Sequence, residues 1–128
     1  MKSLLLAFLL GVSVQVNAGT VELGKYIAVD VLTKSTVAKF ELKANGTVIF
    51  AVSSPDFSVN CNGRYAVNGN QFSSNLVCNS FFLSHANVSI DISSVTPQNL
   101  RSAKGVEVGV IIDALGDDPI KYLLKKND

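Results

Sequence analysis

Residues 57–82 read FSVNCNGRYAVNGNQFSSNLVCNSFF, and the pairing of this stretch decides the fold. A two-residue loop of Gly69 and Asn70, with glycine at the first central position of a type II′ turn, sets Asn68 opposite Gln71. Val67 then faces Phe72, Tyr65 faces Ser74, Gly63 faces Leu76, and Cys61 faces Cys78. One face carries Phe57, Val59, Cys61, Tyr65, Val67, Phe72, Leu76 and Cys78. The other carries Ser58, Asn60, Asn62, Arg64, Asn68, Ser73 and Asn75, with Ala66 and Val77 as its apolar members. Carried outward, the register places Phe57 opposite Phe82. The cysteines fall on a non-hydrogen-bonded pair, where Cα atoms approach to about 4.5 Å, the short end of the range a disulfide spans. Shifting the loop to Asn68-Gly69 sets Cys61 against Leu76 and loses the bridge. Side-chain pattern, turn chemistry and bridge therefore select one hairpin, stapled by Cys61–Cys78. Such a staple contributes about 3 kcal/mol of a typical total of roughly 5–15 kcal/mol.

The flanking segments extend the same architecture. A three-residue loop of Ala44, Asn45 and left-handed Gly46 pairs Leu42 with Val48 and Phe40 with Phe50. Lys39, Glu41 and Lys43 then share the opposite side, whereas a two-residue loop would set Phe50 beside Glu41. From Ala86 to Ser93 the chain alternates, with Val88, Ile90 and Ile92 inward and Asn87, Ser89, Asp91 and Ser93 outward. Thr96-Pro97 reads as an N-cap followed by proline at the first helical position, with Gly105 as a stop. A short helix near 97–103 follows, then a strand over 106–113. Residues 119–126 fit a capped helix or a strand; the turn material Gly116-Asp117-Asp118 favours a closing hairpin. Strands separated by turn chemistry every eight to twelve residues predict an all-β antiparallel meander of seven or eight strands, as a small barrel or sandwich.

The N-terminus predicts where the domain works. Lys2 precedes an apolar run from Leu4 to Val14, and Val16 and Ala18 occupy the −3 and −1 positions before Gly19. This order of a basic residue, a short apolar stretch and small residues is that of a cleaved export signal over 1–18. The run is too short for a helix spanning about 30 Å of hydrocarbon, and no later segment is long enough. A single domain over 19–128 results, periplasmic or secreted, which agrees with two cysteines paired in a small chain. Asn45-Gly46-Thr47 and Asn87-Val88-Ser89 match the glycosylation triplet.

Composition narrows the chemistry. Losing Lys2 with the signal balances the eleven Lys and Arg against the ten Asp and Glu. A nucleic-acid binder needs a cationic surplus to displace counterions, so none is expected. His85, the one histidine, falls on the solvent side with Asn87 and Asp91, and no serine sits in an activating context. Asp113, Asp117 and Asp118 cluster in one predicted turn without EF-hand spacing, and turns favour Asp for local backbone bonds. No metal, cofactor or phosphate loop is implied. Binding is the chemistry left. Phe81 and Phe82 are adjacent, so an extended backbone would turn one ring outward, and Phe81 is a candidate apolar contact; the competing arrangement tucks both rings under a loop. Arg64, Asn62 and Asn75 on the polar face of the hairpin are candidates for a polar partner.

The sequence thus points to a non-enzymatic binding module for a protein or a small apolar ligand. Two alternatives stand beside it. One is a hydrolase built on a carboxylate pair drawn from Glu41, Asp56, Asp91 and Glu107. The other is an envelope protein that assembles through sheet edges.

Overall fold

Each strand pairs with the next in sequence, and the last returns to the first. The computed structural model describes residues 21–53 and 58–127, so the expected signal segment, Asp56 and Phe57 lie outside the described residues. The strands are β1 (Gly24–Asp30), β2 (Thr36–Leu42), β3 (Thr47–Ser53), β4 (Ser58–Asn68), β5 (Gln71–Cys78), β6 (His85–Asp91), β7 (Val106–Ile112) and β8 (Ile120–Lys126). They form a closed antiparallel barrel in chain order. Closure runs between β1 and β8, from Tyr26 opposite Lys126 to Asp30 opposite Tyr122. The expected meander is therefore a barrel, and residues 120–126 are its closing strand.

The stapled hairpin adopts the expected register from Asn68↔Gln71 to Cys61↔Cys78. Its cysteines are bonded, with Cα atoms 4.0 Å apart. The next pair outward is hydrogen-bonded, Asn79 donating from its amide to the Asn60 carbonyl at 3.0 Å, which leaves the cysteines at the non-hydrogen-bonded position. Gly69, with φ of 59°, supplies the left-handed residue of the loop. The β2–β3 hairpin likewise pairs Leu42 with Val48 and Phe40 with Phe50.

Two details of the hairpin differ from the sequence reading. Val67, expected to face inward, is 37% exposed. Strand β3 ends its pairing at Thr47↔Arg64; Tyr65 still packs on Phe72 at the edge of the core, but Val67, two residues further out, projects past the neighbouring strand. Phe82 was expected to extend the β5 ladder, but that strand stops at Cys78 and Phe82 lies in the connection to β6.

The connection between β6 and β7 carries one short helix, α1 (Pro97–Leu100), with Thr96 as its N-cap. The cap is reciprocal: Asn99 donates from its amide to the Thr96 hydroxyl, and Thr96 donates to the Asn99 side-chain oxygen. The helix is shorter than the expected 97–103, because the Ser102 hydroxyl donates to the Asn99 carbonyl and accepts the Gly105 amide, which turns the chain towards Gly105. Leu100 is fully buried.

The two ends of the barrel are built differently. At one end α1 and its flanks press Ile92, Val95 and Leu100 into the interior. There Tyr26 stacks on Phe40 at 5.0 Å and Phe40 on Phe50 at 4.8 Å. The fully buried Tyr26 ring bonds back to the backbone of Glu22, whose amide lies 2.8 Å from the phenol oxygen. Arg101 then clasps the Glu22 carboxylate at 2.6 Å. This is the closed end. The opposite end receives the described connections 31–35, 79–84 and 113–119, and its interior side chains are smaller.

Candidate functional site

Small residues at the open end leave the interior unfilled. Ala28, Ala38 and Ala86 occupy inward positions on β1, β2 and β6, where bulkier side chains stand at the closed end. A bulge adds to this: β1 pairs Ala28 with Ala38 but Val29 with Thr36, so Val37 is left over and both Val37 and Ala38 line the interior. A bulge bends its strand and widens a barrel locally. The result is a cavity of about 160 Å³. Its floor includes Phe40, Phe50 and Leu76, and Leu83, Ile112 and Leu115 stand among its walls. Eight-stranded barrels either fill their interior with side chains or leave room for one small ligand; here the closed end is filled and the open end keeps the cavity.

One residue with a hydroxyl belongs to the lining. Tyr122 is the single residue of its lining with an oxygen or nitrogen in its side chain. Burial pushes its phenol above the ordinary 10.0, and the carboxylate of Asp30, its cross-strand partner, adds to the effect. Tyr122 is therefore a neutral hydrogen-bond donor at any physiological pH, set in an otherwise apolar lining.

Around the mouth the loops carry large apolar side chains outward. Phe81 is 100% exposed, Leu32 86%, Leu115 67% and Phe82 59%. Phe81 and Phe82 meet edge to face, 5.5 Å between centroids. The strand ends at Cys78, as in the competing arrangement, yet both rings are exposed, and among the described residues no loop covers them.

The other candidates lie apart from this mouth. Arg64 and Asn75 are cross-strand partners and share a shallow depression of about 250 Å³ near the closed end with Tyr65 and Ser73. Asn62 sits two residues along the same exposed face, opposite Val77. Arg64 donates to the Asn45 carbonyl at 3.3 Å. His85 is exposed at the start of β6, with Ser84 as its neighbour at 3.3 Å. Of the four carboxylates considered for hydrolysis, Asp91 and Glu107 line one open groove, where β6 and β7 pair over three residues only. Glu107 meets Lys121 at 3.4 Å. Asp91 accepts the Ser93 amide at 3.0 Å, and that bond holds its carboxyl below the ordinary 3.8. A general acid needs the opposite shift. Among the described residues no cluster of ligating side chains suits a metal ion.

Two further carboxyls at the open end are held low. The backbone amide of Thr33, then its hydroxyl, lowers Asp30. The backbone amide of Asn87, at 3.0 Å, lowers Asp113, helped by the Asn87 side chain at 2.8 Å. The latter bonds tie β6 to the turn after β7. A group depressed in the folded state contributes stability that is complete above its unfolded value and lost as pH falls through the folded one. Stability should therefore hold from neutral pH to about pH 4, then fall in the range below 3.8 where these carboxyls protonate. Urea midpoints at pH 7, 5 and 3 check this, and Asp113→Asn should flatten the acid limb.

The Cys61–Cys78 bridge is consistent with an extracytoplasmic location, and no described helix is long and apolar enough to cross a membrane. Compared with known families, characterised proteins and solved structures, the chain matches none.

Proposed function

We propose that this is an exported, non-enzymatic binding module that holds one small apolar molecule, or the end of an alkyl chain, inside the barrel. The observation that carries the reading is the cavity of about 160 Å³ with a nearly continuous aliphatic and aromatic lining. A dry apolar cavity of ~150 Å³ admits benzene, so the space suits six to eight heavy atoms, on the order of one ring or a short chain. Water gains little there, with one phenol to bond to, whereas each buried methylene gains about 0.8 kcal/mol. Tyr122 supplies direction: a ligand with one hydroxyl or carbonyl would turn that group towards the phenol.

Methyl-resolved NMR with toluene and with 1-hexanol tests the reading. Both should shift the methyl signals of Val37, Val52, Val110 and Ile112. Ala86→Leu, which fills the space, should abolish the shifts. Tyr122→Phe should weaken 1-hexanol by roughly two- to tenfold, the value of one hydrogen bond, and leave toluene unchanged. Absence of methyl shifts up to the solubility limit of both compounds would rule the reading out.

A further inference from the structure

The apolar residues at the mouth do not follow from holding a ligand. A cavity needs lining, but Leu32, Phe81 and Phe82 are no part of it, and Leu115, which borders it, keeps 67% of its surface exposed; soluble surfaces seldom gather such side chains in one place. They come from three separate loops, those after β1, β5 and β7, and from one end of the barrel. Resting on the carrier reading, we propose that this rim inserts into a lipid surface of zwitterionic headgroups, and that the occupant of the cavity is an alkyl chain taken from, or returned to, that surface.

Shape argues for lipid over a protein groove. Among the described residues the tips come from three separate loops about the opening, not from one continuous helix or strand face. A stable protein interface takes about 800 Å² from each partner, more than these few separated side chains supply at roughly 150–250 Å² for an aromatic ring. Inserted tips, by contrast, place the mouth in contact with acyl chains, so the ligand never crosses water.

Charge selects the headgroup. At the open end lie Asp30, Asp113, Asp117 and Asp118, against Lys34 and Lys121 among the described residues. Lys34 donates to the Val31 carbonyl at 2.7 Å and Lys121 pairs with Glu107. Anionic lipid would repel this collar, while the outermost group of a zwitterionic headgroup is a cationic ammonium. Most of the basic residues stand at the closed end, including Lys25, Lys43, Lys104, Lys125 and Lys126. An anionic surface would therefore draw the molecule in the opposite orientation, with Phe81 in water.

The chain has no tryptophan, so Phe81→Trp gives a single reporter at the fully exposed tip. Titration with phosphatidylcholine vesicles should shift its emission to the blue, and brominated acyl chains should quench it. In that background Leu32→Ser with Leu115→Ser should lower the partition coefficient at least tenfold, the factor expected for withdrawing even one large apolar side chain, with the melting temperature unchanged. Vesicles of phosphatidylglycerol should give no quenching. A reporter that stays in water with phosphatidylcholine overturns the proposal, as does a blue shift that follows protein concentration without vesicles, which would assign the rim to a second copy of the chain. The two readings separate cleanly. If 1-hexanol binds in vesicle-free solution and the reporter does not insert, the docking fails and the carrier stands. If Ala86→Leu inserts like the parent and 1-hexanol never binds, the rim docks but the cavity carries nothing, and the assignment of an alkyl-chain occupant fails.

Discussion

Replacing both cysteines, Cys61→Ala with Cys78→Ala, is expected to lower stability by about 3 kcal/mol and the melting temperature by roughly 10–20 °C. The bridge joins β4 and β5 at the level where both strands run out towards the open end. Beyond it the ladder continues by one residue pair, through the Asn79 amide on the Asn60 carbonyl and the Asn60 amide on the Asn79 side chain. Cys78 in turn donates to Ser84 across the loop that carries Phe81 and Phe82. Without the staple the chain-entropy cost of closing this hairpin falls on these few bonds. Alanine is the appropriate replacement because both positions are buried, and serine would add an unpaired hydroxyl to the loss. Urea unfolding of the parent, the reduced parent and the double variant checks the expectation. The last two should agree with each other and fall well below the first. Equal midpoints in all three would refute a stabilising role. Hydrogen exchange should also quicken first at residues 79–84.

The bridge shows which parts of this fold a sequence can express. Each feature read correctly rests on a local chemical demand. Gly69-Asn70 admits one loop type, two cysteines must meet, Gly46 must be left-handed, and Thr96-Pro97-Gln98-Asn99 is a capping arrangement. Closure is different in kind. The pairing of β1 with β8 joins residues almost a hundred positions apart, and Ile120, Leu123 and Leu124 suit a helix as well as Ile120, Tyr122 and Leu124 suit a strand. Once closed, the sheet has no free edge strand in the described residues, which removes the surface that edge-to-edge assembly requires.

The cavity was hidden for a related reason. Ala28, Ala38 and Ala86 are ordinary residues in three strands, and only the barrel's stagger brings them to one level. Val37 joins them through a bulge that no residue preference announces. The rim was half legible. Adjacent phenylalanines raised the question at Phe81, but Leu32 and Leu115 are single apolar residues in polar turns, unremarkable until topology sets them beside it. The hairpin's polar face went the other way. Its Asn-rich pattern was conspicuous, yet Arg64 already has the Asn45 carbonyl as a partner, and the depression it shares with Asn75 is shallow. Arrangement at the mouth thus gives the stronger ground for function, and composition on the face the weaker.

Gly63→Ala is the other substitution expected to act strongly, through crowding and not through backbone freedom. A Cβ built on Gly63 falls 1.9 Å from the Asn75 carbonyl oxygen and 3.2 Å from the Leu76 Cα. These are backbone atoms of the paired strand, so no side chain can rotate away. Strands β4 and β5 must part by more than an ångström, two residues from the point where Cys61–Cys78 holds them together. Overpacking usually costs 1–3 kcal/mol and occasionally more; here about 3 kcal/mol or above is expected. Two other glycines isolate the cause. Gly109→Ala meets only the Pro119 Cβ at 3.5 Å, an ordinary contact, and should leave the midpoint within about 0.5 kcal/mol. Gly69→Ala meets nothing within 4 Å but keeps a φ of +59°, and should cost about 1–2 kcal/mol. The expected order of loss is therefore Gly63, Gly69, Gly109, read from urea midpoints of the three variants. A Gly63→Ala protein with the parental midpoint would show that β4 and β5 separate freely. The staple adds a sharper test. If it is what forbids the strands to part, Gly63→Ala should cost less in the Cys61→Ala/Cys78→Ala background than in the parent, a departure from additivity confined to neighbouring sites. Equal costs in both backgrounds would place the resistance in the ladder hydrogen bonds alone.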